Sequence, residues 1–166
     1  QFQRGMTGIE RFFEIMDAPI EIQDAEDAVP LQMKEGSIDF KNVSFEYPDD
    51  HNHVLKNLSL HVAPGERVAL VGPSGGGKTT LCNLIPRFYD VTGGEIDVDG
   101  QDIRHVTLKS LREAIGVVQQ DVYLFSGSVA ENIAYGKKDA TMEEIRHAAK
   151  LAGADEFISG LKDGYD

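Results

Sequence analysis

The chain has 166 residues, 41% of them hydrophobic, enough for the core of one domain. Its 28 acidic residues against 16 Lys and Arg give a formal charge of −12, which argues against a nucleic-acid partner, whose phosphates need a basic face. A single cysteine excludes a disulfide frame and points to a reducing compartment; no apolar run approaches the roughly 20 residues that span a bilayer, so the segment by itself is expected to be soluble.

In chain order, Phe2, Met6, Ile9, Phe13 and Met16 alternate at spacings of four and three, which predicts one apolar stripe of a helix over residues 1–17. That helix docks on its own domain or is the tail of a longer helix; opening mid-pattern, without Met or an N-cap, favours a piece of a longer protein. From Asp17 to Glu35 the acids Asp17, Glu21, Asp24, Glu26 and Asp27 cluster with Pro19 and Pro30, the chemistry of a solvated acidic linker. Gly36 to Tyr47 alternates through Ile38 and Phe40, then resumes one residue out of step at Val43, Phe45 and Tyr47. A bulge near Lys41-Asn42 keeps all five on one face. Leu58, Leu60 and Val62 alternate next, and Ala63-Pro64-Gly65-Glu66 turns into an apolar run, Arg67 to Val71, that reads as a strand.

Gly72-Pro73-Ser74-Gly75-Gly76-Gly77-Lys78-Thr79 then fits G-x-x-x-x-G-K-[ST] at every fixed position. Glycines let backbone N–H groups ring a polyphosphate without obstruction, Lys78 adds a point charge toward the β- and γ-phosphates, and Thr79 offers a hydroxyl to Mg²⁺. The helix expected over Thr80 to Ile85, ended by Pro86, puts the positive end of its dipole under the same phosphates. Gly72-Pro73-Ser74-Gly75-Gly76 also fits the nucleophile elbow G-x-S-x-G of serine hydrolases. His105 and His147 lie in no recognisable base setting, no HGGG-like segment occurs, and hydrolysis gives no reason for Lys78-Thr79.

Asp99-Gly100 turns a small hairpin between Ile96-Val98 and Ile103; Asp97-Val98-Asp99-Gly100 lacks the twelve-residue pattern of a calcium loop. Leu108 to Ala114 reads helical after Thr107, a potential N-cap, and Ile115-Gly116-Val117-Val118 reads as a buried strand leading to Gln119-Gln120-Asp121. Ser128-Val129-Ala130-Glu131 and Thr141-Met142-Glu143-Glu144 are capping boxes of two further helices, closed by Gly136 and Gly153. Hairpins followed by βα units predict an α/β core carrying an antiparallel β-subdomain.

With these segments placed, residues 36–166 resemble the nucleotide-binding domain of ATP-binding cassette (ABC) exporters, most closely the multidrug and lipid exporter branch. The likeness rests on Phe45-Glu46-Tyr47-Pro48, the P-loop, Leu84-Ile85-Pro86-Arg87-Phe88-Tyr89-Asp90, Val117-Val118-Gln119-Gln120-Asp121 through Leu124-Phe125-Ser126, and Val129-Ala130-Glu131-Asn132-Ile133. It implies a P-loop NTPase of ABC type that binds ATP and Mg²⁺ at Tyr47, Gly72, Pro73, Ser74, Gly75, Gly76, Gly77, Lys78, Thr79, Thr80 and Gln120. Tyr47 stacks on adenine, Thr79 and Gln120 reach the magnesium, and Lys78 and Gln120 serve catalysis. It further implies that residues 1–17 are the cytoplasmic end of a membrane helix, 18–35 a connector, and Asp121 to Phe125 the segment that meets the transmembrane domain. A second nucleotide-binding domain, identical or different, completes the assembly at the cytoplasmic face of the cell membrane. Such domains also carry an LSGGQ-type loop, an apolar strand ending in Asp-Glu and a switch histidine. None of these is found here, so the fold is expected to be incomplete at the C-terminus and the chain to bind MgATP without hydrolysing it. A regulatory GTPase is the rival reading; Gly136-Lys137-Lys138-Asp139 comes near the guanine-selecting N-K-x-D but lacks its Asn. A soluble cassette ATPase outside transport is a third.

Overall fold

In the computed structural model, residues 9, 11–13, 16–48, 53–118 and 123–166 are described, and they form two compact units divided at Val117 and Val118. The first is built on an antiparallel sheet of order β2-β1-β3-β4, with β1 at Ile38–Glu46, β2 at His53–Val62, β3 at Gly93–Val98 and β4 at Gln101–Asp102. The expected bulge is there. Phe40 pairs with Leu60 and Val43 with Leu58, so Lys41 and Asn42 of β1 face Ser59 alone of β2, and Asn42 takes a φ of 50° to make the step. Phe40, Val43 and Phe45 therefore all enter one core with Leu81, Leu84, Ile96, Val98, Val106 and Leu111. Asp99 and Gly100, at φ 49° and 75°, make the tight turn expected of Asp-Gly between β3 and β4.

Helix α1 (Lys78–Leu84) buries Thr80, Leu81 and Leu84 against this sheet's cluster, and α2 (Leu108–Glu113) buries Leu111. Thr107 occupies the N-cap position of α2 without capping it by its side chain. The acceptor comes from the acidic segment instead: Asp24 Oδ1 takes the Leu108 N–H at 2.7 Å.

That bond corrects the expectation of a solvated linker. The Val29 N–H donates to His105 O and the Thr107 N–H to Val29 O (3.0 and 2.9 Å); Leu31 N–H donates to Ser110 Oγ (2.8 Å). Gln32 and Gln101 exchange two bonds, and Asp27 pairs with His105 at 3.0 Å. At the end of this strap the Asp99 carboxylate accepts the backbone N–H groups of Lys34, Glu35, Gly36 and Ser37 at 2.8 to 3.3 Å. Acids near prolines look like tether chemistry in sequence, but here Asp24 accepts an orphan helix N–H and Asp27 pairs with His105. The N–H bonds from Lys34 to Ser37 hold Asp99 at about 2, below the ordinary carboxylate value of 3.8. A depressed folded-state pKa contributes stability that is present above the unfolded value and is lost as pH falls through the folded one. Docking of residues 34–37 is thus expected to persist at neutral pH and to fail between about pH 4 and pH 2. Asp99→Ala should abolish it at pH 7, read as faster amide exchange at Lys34 to Ser37.

Two expected strands of a parallel core are not formed. Residues 67–71 and 115–118 run as irregular chain, Val71 and Val118 are 92% and 100% exposed, and Ile115 alone of its run is half-buried. A parallel strand is stable only with hydrogen-bonded neighbours and covered faces, and none of the described residues pairs with either run.

The second unit is helical. Helix α3 (Val129–Ile133) leads into a 3₁₀ turn at Ala134–Gly136, followed by α4 (Met142–Leu151) and α5 (Asp155–Ser159) around Ile145, Ala149, Ile158 and Tyr165. Both capping boxes form, at Ser128 with Glu131 and at Thr141 with Glu144. Gly153, at φ 70°, closes α4: its N–H reaches Lys150 O, and the Ala154 N–H reaches Ala149 O at 2.8 Å. Among the described residues no helix is long and apolar enough to cross a membrane. In the helix expected over residues 1–17, Ile9, Arg11 to Phe13 and Met16 are helical and exposed; Phe2 and Met6 lie outside the described residues.

Candidate functional site

The glycine loop arrives from the exposed run 67–71 and passes straight into α1, whose N-cap is Gly77. Gly77 has φ 81°, and a Cβ there would stand 3.1 Å from Leu55 Cδ2 and 3.2 Å from Val54 Cγ1, so a larger residue is strained by the backbone and crowds both neighbours. With a glycine N-cap no side chain caps the helix. The first-turn N–H groups of Lys78, Thr79 and Thr80 have no acceptor within the helix and remain available to an anion. Gly75 also has a positive φ, 77°, and the Gly76 N–H folds back onto Pro73 O at 3.2 Å, which closes the loop into a cup.

Lys78 Nζ donates to the carbonyl oxygens of Gly72 and Pro73 at 2.9 and 2.7 Å. The ammonium thus leans back over its own loop, held by two neutral acceptors that a phosphate oxygen outcompetes, since hydrogen bonds between ions are the stronger kind. Thr79 is exposed, and its hydroxyl has no hydrogen-bond partner among the described residues. Thr80 is 5% exposed, and its Oγ1 is bonded to the Tyr47 hydroxyl at 2.9 Å, so what it offers a phosphate is its backbone N–H.

Tyr47 is therefore brought to the foot of α1, one residue from Thr79. Its ring stands edge-on to Phe45 at 4.9 Å and to Tyr89 at 5.2 Å, and it remains half-buried. The sequence singled out Tyr47 but not the Thr80 bond or the ring of three aromatics that orients it. Behind this group Arg87, buried and at φ 53°, grips Asp90 through Nε at 2.6 Å. Arg112 donates to the carbonyls of Pro86 and Arg87 at 3.0 and 2.9 Å. Two guanidinium groups thus fix the turn that follows α1. Gln119, Gln120 and Asp121 lie outside the described residues.

In the second unit Asn132 clamps the chain ahead of α3. It accepts the Phe125 N–H at 2.8 Å and donates to Phe125 O and Ser128 O at 3.0 and 2.9 Å. Phe125 stacks on Tyr135 at 4.2 Å, while Tyr123 and Leu124 are 76% and 75% exposed.

The cup fits a polyphosphate: it has positive-φ glycines, uncapped N–H groups, a retractable ammonium and an exposed hydroxyl. The family described as ABC transporter matches residues 55–164. The chain is 48% identical over 165 residues to the uncharacterized ABC transporter ATP-binding protein YwjA of Bacillus subtilis (strain 168), covering 99% of this chain and 28% of that protein. It is 50% identical over 164 residues to the ATP-dependent lipid A-core flippase of Syntrophus aciditrophicus (strain SB), covering 99% of this chain and 27% of that one. Among solved structures, a bacterial Atm1-family ABC exporter with ATP bound superposes with a TM-score of 0.86 at 45% identity, over 99% of this chain and 29% of the exporter. The chain thus spans less than a third of the length of these relatives.

Proposed function

The chain belongs to the ABC transporter family, and from that premise we propose that it is the ATP-binding part of a nucleotide-binding domain that couples ATP binding and hydrolysis to export of a substrate across a membrane. Its fold is that family's α/β type, with an antiparallel sheet in its first unit. The observation that carries the reading is the cup from Gly72 to Thr79, with Lys78 held over it by two displaceable bonds.

In this reading the N–H groups of Gly75 and of Gly77 to Thr80 bind the phosphates, while that of Gly76 stays on Pro73 O, and Lys78 leaves its carbonyls for the β- and γ-oxygens. Thr79 and Gln120 would hold Mg²⁺, whose charge would offset that of the terminal phosphate. Gln120 orients the attacking water, and Tyr47 stacks on adenine. The partners are the transmembrane domain of the same transporter and a second nucleotide-binding domain, identical or different, at the cytoplasmic face of the membrane. Residues 1–17 are the end of a membrane helix and 18–35 the connector. The exposed Tyr123 and Leu124 beside the clamped Phe125 support a partner contact there.

Calorimetry with ATP and GTP tests this: ATP is expected to bind more tightly, and a marked preference for GTP overturns the reading. Tyr47→Ala is expected to weaken ATP binding by about 1 to 3 kcal/mol, the worth of one base stacked on an aromatic ring. Tyr47→Phe keeps the ring and loses only the Thr80 bond, so it should retain most of the affinity. Equal affinity for all three proteins removes Tyr47 from the adenine site.

A further inference from the structure

The outward face of the sheet holds a second charged cluster that nucleotide binding does not use. On β3, Glu95 and Asp97 alternate with the core residues Ile96 and Val98, and Asp97 lies directly opposite Asp102 on β4 and Asp39 on β1. Like charges directly opposite one another in a sheet repel, so this arrangement requires cations. Two are supplied. Lys41 Nζ lies 2.6 Å from Asp97 Oδ2 and 2.8 Å from Glu95 Oε1, and Arg104 Nη2 lies 2.6 Å from Asp102 Oδ2. Asp39 is held by His61 Nδ1 at 2.6 Å. Four carboxylates thus face two permanent cations and one imidazole.

The supply falls short at one atom. Asp97 is 5% exposed, and its Oδ1 has no hydrogen-bond partner among the described residues. A buried carboxylate oxygen without a donor is rare and calls for a water or an ion. One oxygen each of Glu95, Asp97 and Asp102 already lies within 4.8 Å of the others. Oxygens sharing a calcium ion at 2.3 to 2.6 Å stand at most about 5 Å apart, so the three meet that limit without moving the backbone. Their donor set, all carboxylate oxygen with no nitrogen or sulfur, suits a hard divalent cation.

We infer that Glu95, Asp97 and Asp102 form a divalent-cation site of calcium type on the β-sheet, distinct from the magnesium position at Thr79, with Lys41 as its built-in competitor. The Lys41 side chain is half exposed on a flexible stem, so it can swing out to solvent when the ion enters, and Arg104 stays on Asp102. The bound ion joins β4, which pairs with β3 at only two positions, to the rest of the sheet.

The test is calorimetry of the full 166-residue chain with CaCl₂ alone, no nucleotide present. One saturable site is expected, with affinity in the range of about 10⁻⁵ to 10⁻³ M for a site of few charged ligands. Lys41→Met should tighten it about tenfold, and the isosteric Asp97→Asn should weaken it about tenfold or more. Thr79→Ala should leave it unchanged. Absence of saturable binding in both the wild type and Lys41→Met overturns the inference. So does binding that survives Asp97→Asn but is lost in Thr79→Ala, which would put the ion at the glycine loop.

Discussion

Lys78→Ala is expected to lower the affinity of the chain for ATP by about 10- to 100-fold, the loss of a charge-assisted hydrogen bond worth about 1.5 to 3 kcal/mol. The ammonium lies on the carbonyls of Gly72 and Pro73, both exposed residues, so the variant leaves these carbonyls to water and the fold untouched. Lys78→Arg should restore little, because a planar fork replaces a compact charge on a short reach. Calorimetry of the three proteins decides the matter. An undiminished affinity in Lys78→Ala, with thermal stability also unchanged, would remove the lysine from the phosphate site.

Phe45→Ala is expected to cost about 3 to 5 kcal/mol of folding stability, a large share of the roughly 5 to 15 kcal/mol that holds a domain together. Phe45 is 1% exposed and meets the rings of Tyr47 at 4.9 Å and Tyr89 at 5.6 Å. Its removal hollows the core beneath the residue proposed to stack on adenine, so stability and nucleotide affinity should fall together. Phe45→Leu, which leaves a smaller void, should cost less. Urea unfolding gives the number, and a loss below about 1 kcal/mol in the alanine variant would show that the ring is not part of the core.

Features governed by local rules could be read from the chain alone. The step at Lys41-Asn42 follows from an alternation that slips by one, the turn at Asp99-Gly100 from its residue types, and the capping boxes from Ser/Thr and Glu three residues apart. The phosphate cup is legible for the same reason, since its glycines, lysine and threonine are adjacent. Features that depend on distant partners were not legible. Asp24 caps a helix 84 residues away, and Asp99 gathers N–H groups more than 60 residues upstream, so a segment that looks like a tether becomes a strap. The runs at 67–71 and 115–118 have strand composition, but composition supplies no hydrogen-bonding neighbour. The unpaired oxygen of Asp97 leaves no mark in the sequence at all.

The uncovered run Val68 to Val71 carries a hazard and its own brake. A bare, β-branched stretch is a template on which a foreign chain can stack, and prolonged exposure during synthesis invites clumping. This one is only four residues long, preceded by Glu66 and Arg67 and followed by Gly72 and Pro73. Fibrils favour six or seven uninterrupted apolar residues, and charges and proline act as gatekeepers against them. The stretch is thus open to a proper neighbour sliding in alongside, yet too short to seed amyloid.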